Sequence, residues 1–272
     1  YSNMADCYEA LGDYEKAIWC YKKDLEMFPD RKAFRKEIGL LYQYMGDYDN
    51  ALNYFQLEPD LDDYYENVAM VLYLQGKKRE AIKTYVKGIN KASKDNKTSR
   101  MCDLAYFYKD ILGDFRKAEG YYKRALAAAL TEDDRRETEW KLAYLYFRMG
   151  KKQDARLHAA KSLEHFKNSD SGTEENYLKY YSFGPARLMR FGWLYICLGE
   201  TEKGLKMLKD MTRWKRCRQC RYKACYEGYQ HLGMYYEAAG DREKACEYYK
   251  KALEFNNHEI TITIALKRVQ KI

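Results

Sequence analysis

The chain has 272 residues, of which 46% are hydrophobic and 16% are aromatic, and its formal net charge is +8. This composition is too apolar for a disordered chain, and no stretch approaches the roughly 18 consecutive apolar residues that a membrane-spanning helix needs. We therefore expect a folded, non-membrane protein. We place it in the cytoplasm, because its eight cysteines show no spacing typical of a disulfide framework.

The first predicted element is a helical hairpin whose pattern recurs along the chain. Its apolar residues keep a 3.6-residue period on both sides of Gly12, which predicts two antiparallel helices. Counted from this glycine, Met4 lies eight positions before and the small Ala5 seven before. The small Ala17 lies five positions after, and the aromatic Tyr21 nine after. A glycine at the turn supplies a positive φ, and facing small residues let the two helices approach closely.

The same offsets recur, in imperfect form, around six further glycines. In the fourth hairpin the matching residues, Leu104, Ala105 and Tyr108, are displaced by one extra residue before Gly113. The repetition predicts seven helix-turn-helix units with approximate bounds 1–30, 31–60, 61–97, 98–131, 132–166, 185–216 and 222–256.

Two segments depart from the repeat. Residues 167–184 interrupt it as an insertion, and we interpret the polar part as a mobile loop. We expect the aromatic part, 177–183, to fold back onto the repeats, because clustered exposed rings are costly. Residues 259–272 are interpreted as a capping helix over the open apolar face of the last unit. Their Ile-Thr-Ile-Thr-Ile alternation fits a strand equally well on local grounds, but no nearby segment offers a strand to pair with.

This pattern resembles the tetratricopeptide repeat (TPR) family, whose unit is a helix-turn-helix of about 34 residues. The resemblance covers nearly the whole chain. It implies an all-α fold, a single right-handed superhelical solenoid of about seven TPR units with a C-terminal capping helix. Because the chain begins inside the first helix of a unit, we expect it to be a fragment of a longer protein.

Catalysis has little support in the sequence. The four histidines are dispersed, and the sequence contains no glycine-rich phosphate loop or nucleophile motif. Cys217 and Cys220, followed by Cys225 and His231, are residue types that a zinc site uses, but their spacing matches no zinc motif. Ordinary packing is our interpretation of these cysteines, with a redox-sensitive thiol or a metal ligand as alternatives. We predict no catalytic residue, no cofactor and no metal.

The family resemblance implies that the first helix of each unit lines a concave groove. The residues that do so lie 13, 10, 9, 6, 3 and 2 positions before the turn glycine, and we call these the inner positions. In the middle of the chain they carry Trp, Tyr and Arg, which are common at binding hot spots. We predict a ligand-binding groove lined by Tyr106, Trp140, Lys141, Tyr144, Phe147, Arg148, Met189, Arg190, Trp193 and His231, with Tyr44, Met70 and Tyr73 continuing it. We expect the rings of Trp140, Tyr144 and Trp193 to be exposed there; the alternative is that they form core.

The function we predict is a non-enzymatic scaffold that holds a protein or peptide with acidic and apolar side chains in this groove. Two alternatives stay open: the peptide-sensing half of a transcriptional regulator, or the scaffold arm of a co-chaperone or multidomain enzyme. Family members that hold acidic chaperone tails use a Lys and an Asn where this chain has Ser2 and Asp6, so that clamp does not carry over. We expect no membrane binding, and nucleic-acid contact only through the basic segment 203–223 or a domain outside this sequence.

Overall fold

The structure is a computed structural model that describes residues 1–167, 184–213, 225–256 and 258–270. Within these ranges every regular element is helical, as predicted, and no helix is long and apolar enough to cross a membrane. In chain order the helices are α1 (Ser2–Leu11), α2 (Tyr14–Met27), α3 (Lys32–Tyr44), α4 (Tyr48–Gln56), α5 (Tyr64–Leu74), α6 (Lys78–Lys91), α7 (Lys94–Tyr106), α8 (Phe115–Ala128), α9 (Glu132–Arg148), α10 (Lys152–Lys167), α11 (Gly184–Leu198), α12 (Thr201–Thr212), α13 (Cys225–Ala238), α14 (Arg242–Phe255) and α15 (Ile260–Gln270).

The hairpins turn at glycines in the left-handed backbone region, which confirms the repeat pattern. In the last hairpin the Gly240 N–H donates to the carbonyl of Glu237 at 3.1 Å, and the Asp241 N–H donates to that of Tyr236 at 2.9 Å. The Asp241 side chain then accepts from the backbone N–H of Lys244 at 3.1 Å and caps the next helix. The seven turn glycines have φ between 68° and 98°: Gly12, Gly46, Gly76, Gly113, Gly150, Gly199 and Gly240.

Small residues allow the close contact of paired helices that the pattern predicted. A Cβ added to Gly233 of α13 would lie 2.6 Å from the ring of Tyr249 on α14. A Cβ added to Gly204 of α12 would lie 2.4 Å from the carbonyl oxygen of Gly192 on α11, so these two backbones touch. The alanines that lie five residues after a turn glycine are buried: Ala17, Ala51, Ala81, Ala118, Ala155 and Ala245.

The extra residue of the fourth hairpin is absorbed inside its first helix. Helix α7 continues into a π-helical turn over residues 107–111, and the N–H of Leu112 bonds the carbonyl of Phe107 at 3.1 Å. A π-turn adds one residue to a helical turn without breaking the hydrogen-bond ladder. Lys109 and Asp110 lie within this turn, and both side chains are buried.

The chain forms two compact units. The first, residues 1–93, contains the three hairpins α1–α6, with Tyr21, Ile38 and Leu41 in its core. The second begins at residue 94 and contains α7–α15. At its end α15 packs against α14, which confirms a helix in place of a strand at residues 260–270. Nearly all of the predicted insertion, residues 168–183, lies outside the described residues.

Candidate functional site

The predicted groove of the second unit is closed, so the expectation of exposed rings is wrong. Trp140, Tyr144 and Trp193 expose only 9%, 3% and 1% of their surface. The reason is that the first helices of successive hairpins meet at the inner positions. The rings of Tyr144 on α9 and Trp193 on α11 have centroids 4.4 Å apart, and the Tyr144 hydroxyl contacts the sulfur of Met234 on α13 at 3.0 Å. This is the core arrangement that the sequence left as the alternative.

His231 and Phe147 belong to the same packed cluster. The Trp193 indole N–H donates to Nδ1 of His231 at 3.0 Å, while Phe147 stacks on Tyr235 with centroids 6.2 Å apart. An indole nitrogen can only donate, so Nδ1 of His231 accepts and its proton lies on Nε2. Burial lowers the pKa of His231 to about 4, which favours the same neutral ring.

The basic side chains of the predicted groove are paired with acids of the same unit. Arg148 Nη1 lies 2.5 Å from Asp110 Oδ1, and Arg190 Nη2 lies 2.5 Å from Glu137 Oε2. Lys141 Nζ lies 3.9 Å from the other oxygen of Glu137. These pairs offset the positive charge that favoured an acidic ligand. Met189, by contrast, is simply half-buried.

Lys109 and Asp110 form a buried ionic centre with Arg148 that the sequence did not reveal. Lys109 Nζ lies 2.9 Å from Asp110 Oδ2 and 4.3 Å from the centre of the Tyr144 ring. Burial lowers the pKa of Lys109 to about 8. Burial alone would raise the pKa of Asp110, but the cations of Lys109 and Arg148 outweigh it and hold that pKa below its ordinary value. The one signal for this centre was the extra residue before Gly113.

Helix α15 contacts residues at the inner positions of the second unit. The Arg268 guanidinium donates to both carboxylate oxygens of Glu237 on α13, at 2.5 and 2.9 Å. Gln230 of α13 donates to the Thr261 hydroxyl at 3.0 Å, and the same hydroxyl hydrogen-bonds Tyr106 of α7. The predicted groove residue Tyr106 is therefore a contact of α15. Helix α15 thus contacts α7 and α13, the first helices of the first and last hairpins of the second unit.

The inner positions of the first unit differ at the position six residues before the turn glycine, where Leu40 on α3 and Met70 on α5 are half-buried, whereas Tyr144 and Trp193 of the second unit are buried. Tyr44 on α3 and Tyr73 on α5 are half-buried as well. Acidic residues accompany them, and one ion pair joins the two helices, with Lys36 Nζ 3.0 Å from Asp63 Oδ2. The inner positions thus present apolar, aromatic and charged groups together, as an interaction surface requires.

The described ranges show no group of three or more His, Cys, Asp or Glu side chains placed to hold a metal. Cys217 and Cys220 lie outside these ranges, so our interpretation of them stays a prediction. Catalysis likewise has no positive support from the geometry described above.

The fold and its turns define a protein of stacked helical hairpins, and comparison with known families identifies the hairpins. One tetratricopeptide repeat model matches residues 1–31 and 226–259, and a second matches residues 36–63 and 103–136. The chain therefore contains tetratricopeptide repeats, as its sequence predicted. The tetratricopeptide fold is generally a non-enzymatic scaffold, and its repeats imply protein–protein interaction.

Solved structures that are similar to the chain have low sequence identity to it. A tetratricopeptide repeat protein from Parabacteroides merdae is 14% identical, with a TM-score of 0.48 over 99% of this chain and 97% of its own. The Cut9–Hcn1 hetero-tetramer of the APC/C gives 15% identity and a TM-score of 0.47 over 97% of this chain, which spans about half (47%) of the matched chain. A monomeric IFIT1 mutant with Gppp-AAAA is 17% identical, with a TM-score of 0.49 over 94% of this chain and 58% of the matched chain. No curated protein shows significant sequence similarity.

Proposed function

We propose that this chain is an interaction scaffold that holds a segment of a partner protein on the inner positions of residues 1–93. The observation that carries the proposal is a contrast between equivalent positions. Six residues before the turn glycine, Leu40 and Met70 are half-exposed in the first unit, whereas Tyr144 and Trp193 are buried in the second. A partner needs accessible side chains, and the first unit presents them.

The side chains at these positions suit a binding surface. Tyr44 and Tyr73 present rings with a polar end, and Leu40 and Met70 present flexible or branched apolar groups. Half-buried side chains are partly ordered before binding, so they lose less conformational entropy when a partner arrives. Their regular helical spacing matches an extended or helical segment better than a small molecule.

A peptide selection tests the proposal without a known partner. Peptides of about 12 residues are selected from a random displayed library against the intact chain, and their affinities are measured for two variants. We expect Tyr73→Ala to weaken the selected peptides about tenfold or more. Leu57→Ala is the matched control, because Leu57 is 59% exposed and follows α4, the second helix of its hairpin. A selection whose binders ignore Tyr73→Ala contradicts the proposal.

A second candidate function is binding of the partner predicted from the sequence, a segment with acidic and apolar side chains. This function requires the second unit to open. One observation favours it: the indole N–H of Trp140 is buried and has no hydrogen-bond acceptor in the described ranges. An acidic partner would supply that acceptor. Amide hydrogen exchange tests this second candidate. If a peptide of alternating Glu and Leu opens the second unit, the amides of α15 should exchange faster when the peptide is added. Unchanged exchange would exclude this candidate.

A further inference from the structure

The exposed side of α6 in the first unit carries a row of cations. Arg79, Lys83, Lys87 and Lys91 follow one another at intervals of four residues, and all four side chains are exposed; we call them the basic stripe. Residues four apart lie on the same face of a helix, about 6 Å apart along its axis. None of the four has an ion-pair partner among the described residues, and Glu80 is the one acidic residue of α6. The stripe is therefore a row of uncompensated positive charge.

Lysines on the second helices of other hairpins are compensated within their own helix. Lys123 Nζ on α8 lies 2.7 Å from Glu119 Oε1, and Lys251 Nζ on α14 lies 2.6 Å from Glu247 Oε1. In both helices the glutamate stands four residues before the lysine. In α6 the residue four before each lysine of the stripe is itself a cation, so this pairing is not available. No other hairpin has more than two Lys or Arg at the four equivalent positions.

The basic stripe is unfavourable for the helix that carries it. Like charges four residues apart destabilise a helix, and the stripe has three such pairs in succession. Arg79 also lies in the first turn of α6, where the helix dipole favours carboxylates. Four of the other six hairpins have Glu or Asp at the equivalent position, three residues after the turn glycine. The stripe is exposed, so packing does not offset these effects, and residues that break local rules in this way are expected at functional sites.

The rest of the first unit restricts what kind of anion can approach the stripe. Residues 1–76 contain 15 acidic and 7 basic side chains, whereas residues 77–91 contain 6 basic side chains and one acidic. A long nucleic acid or an anionic membrane would meet this negatively charged remainder. The apolar side chains of α6 are buried or half-buried, so the helix offers neither exposed rings for stacked bases nor an apolar face for lipid. A short anionic segment fits these conditions best.

We infer that the basic stripe binds a short acidic segment of a partner protein. Glutamates or aspartates four residues apart on a partner helix repeat at about 6 Å, the same interval as the cations of the stripe. Each cation can then donate hydrogen bonds to one carboxylate. The tetratricopeptide repeats of the chain imply a protein as the partner. The stripe contains no inner position, so this inference stands apart from the proposed function.

Three synthetic peptides test the chemistry of the partner. Each has about 15 residues, a fluorescein label and a common background of Ala and Gln, and they differ only at every fourth position, which is Glu, Gln or Lys. Fluorescence anisotropy follows their binding to the intact chain. We expect the Glu peptide to bind about tenfold or more tightly than the Gln peptide, with an advantage that shrinks as salt is raised. Equal binding of the Glu and Gln peptides would overturn the inference.

Charge-neutralising variants locate the binding. The double variant Lys83→Gln and Lys87→Gln removes two cations of the basic stripe. Lys123→Gln and Lys251→Gln is the matched control, because it changes the net charge equally and its side chains are 57% and 42% exposed on second helices. We expect the first pair to weaken the Glu peptide about tenfold and the control to change it less than about twofold. Equal loss in both pairs would mean diffuse attraction and would contradict the inference.

Thermal unfolding and two further anions complete the test. Neutralising Lys83 and Lys87 relieves like-charge repulsion, so the melting temperature should not fall, and a loss of binding then reports the surface and not the fold. A single-stranded oligonucleotide of about 12 nucleotides and vesicles of anionic lipid are offered as competitors of the Glu peptide. We expect neither to displace it at physiological salt. Displacement that also requires Lys83 and Lys87 would show a phosphate-binding surface, and the inference would be wrong.

The variant Tyr73→Ala separates this inference from the proposed function. Tyr73 is an inner position, so its replacement should leave the affinity of the Glu peptide unchanged. If Tyr73→Ala abolishes binding and the Lys83 and Lys87 pair does not, the peptide occupies the inner positions, which supports the proposed function and overturns the inference. If none of the peptides binds, the inference is overturned, and the library selection still decides the proposed function.

Discussion

The indole N–H of Trp193 and the imidazole Nδ1 of His231 are joined by a 3.0 Å hydrogen bond between α11 and α13. The bond exists only while Nδ1 is unprotonated, because both groups would otherwise be donors. Burial lowers the pKa of His231 to about 4, compared with about 6.5 in an unfolded chain. The packing of the second unit is thereby linked to the protonation of one ring.

This link predicts a pH dependence of stability. Between pH 6.5 and pH 4 the unfolded state binds a proton at His231 that the folded state does not. The free energy of unfolding should therefore fall with decreasing pH, by up to about 1.4 kcal/mol per unit from this group. Urea unfolding between pH 7 and pH 4.5 measures it, with His231→Gln as the comparison. If parent and variant lose stability in parallel, His231 is not the titrating group.

The buried ring cluster predicts a large cost for removing its central indole. Trp193→Ala should lower the free energy of unfolding by about 3–5 kcal/mol, because it leaves a cavity among Tyr144, Phe147 and His231. Trp19→Ala is the control, since Trp19 is 51% exposed, and it should cost less than about 1 kcal/mol. Thermal and urea unfolding compare the two. A similar small loss in both would restore the open groove that the sequence predicted.

Asp110 is predicted to be essential for the stability of the second unit. Asp110→Asn removes the carboxylate that pairs with Lys109 and Arg148 in the buried centre, which should cost about 3–5 kcal/mol. Asp133→Asn removes one partner of a pair in which the carboxylate is 80% exposed, and it should cost at most about 1 kcal/mol. Chemical unfolding distinguishes these values. Equal costs would show that the centre at Asp110 is solvated like a surface pair.

Two glycine substitutions should act in opposite directions. Gly204→Ala places a methyl group 2.4 Å from the Gly192 carbonyl oxygen, so α11 and α12 must separate, at a cost of about 1–3 kcal/mol. Gly120 lies in α8 with nothing within 4 Å of an added Cβ. Gly120→Ala should stabilise the chain by about 0.4–1 kcal/mol. Melting temperatures provide the test, and a neutral Gly204→Ala would contradict the close backbone contact.

The helices and turns were predictable because their determinants are local. Gly240 and Asp241 fix a turn and a cap within a few residues, and Gly233 faces Tyr249 inside one hairpin. Spacing along the sequence therefore carried this information.

The candidate site was less predictable, because exposure depends on distances between repeats. An inner position indicates which side of its own helix a residue occupies. It does not show how far away the next first helix lies, so Trp193 could be placed on the inner side but not recognised as core. The Arg268 to Glu237 pair was missed for the same reason, since α15 reaches these helices only in the folded unit.

Because of the π-turn at residues 107–111, the buried ionic centre of the second unit depends on the number of residues in this turn. Each α-helical residue advances the chain by about 100° around the helix axis. Deleting one residue from the turn would restore the α-helical path and rotate either Lys109 or Asp110 away from Arg148. If Asp110 is the residue that rotates away, such a deletion leaves Arg148 without its carboxylate beside Tyr144. One inserted residue can therefore change the buried side chains of a single repeat, while the spacing of the packing residues in the other repeats stays the same.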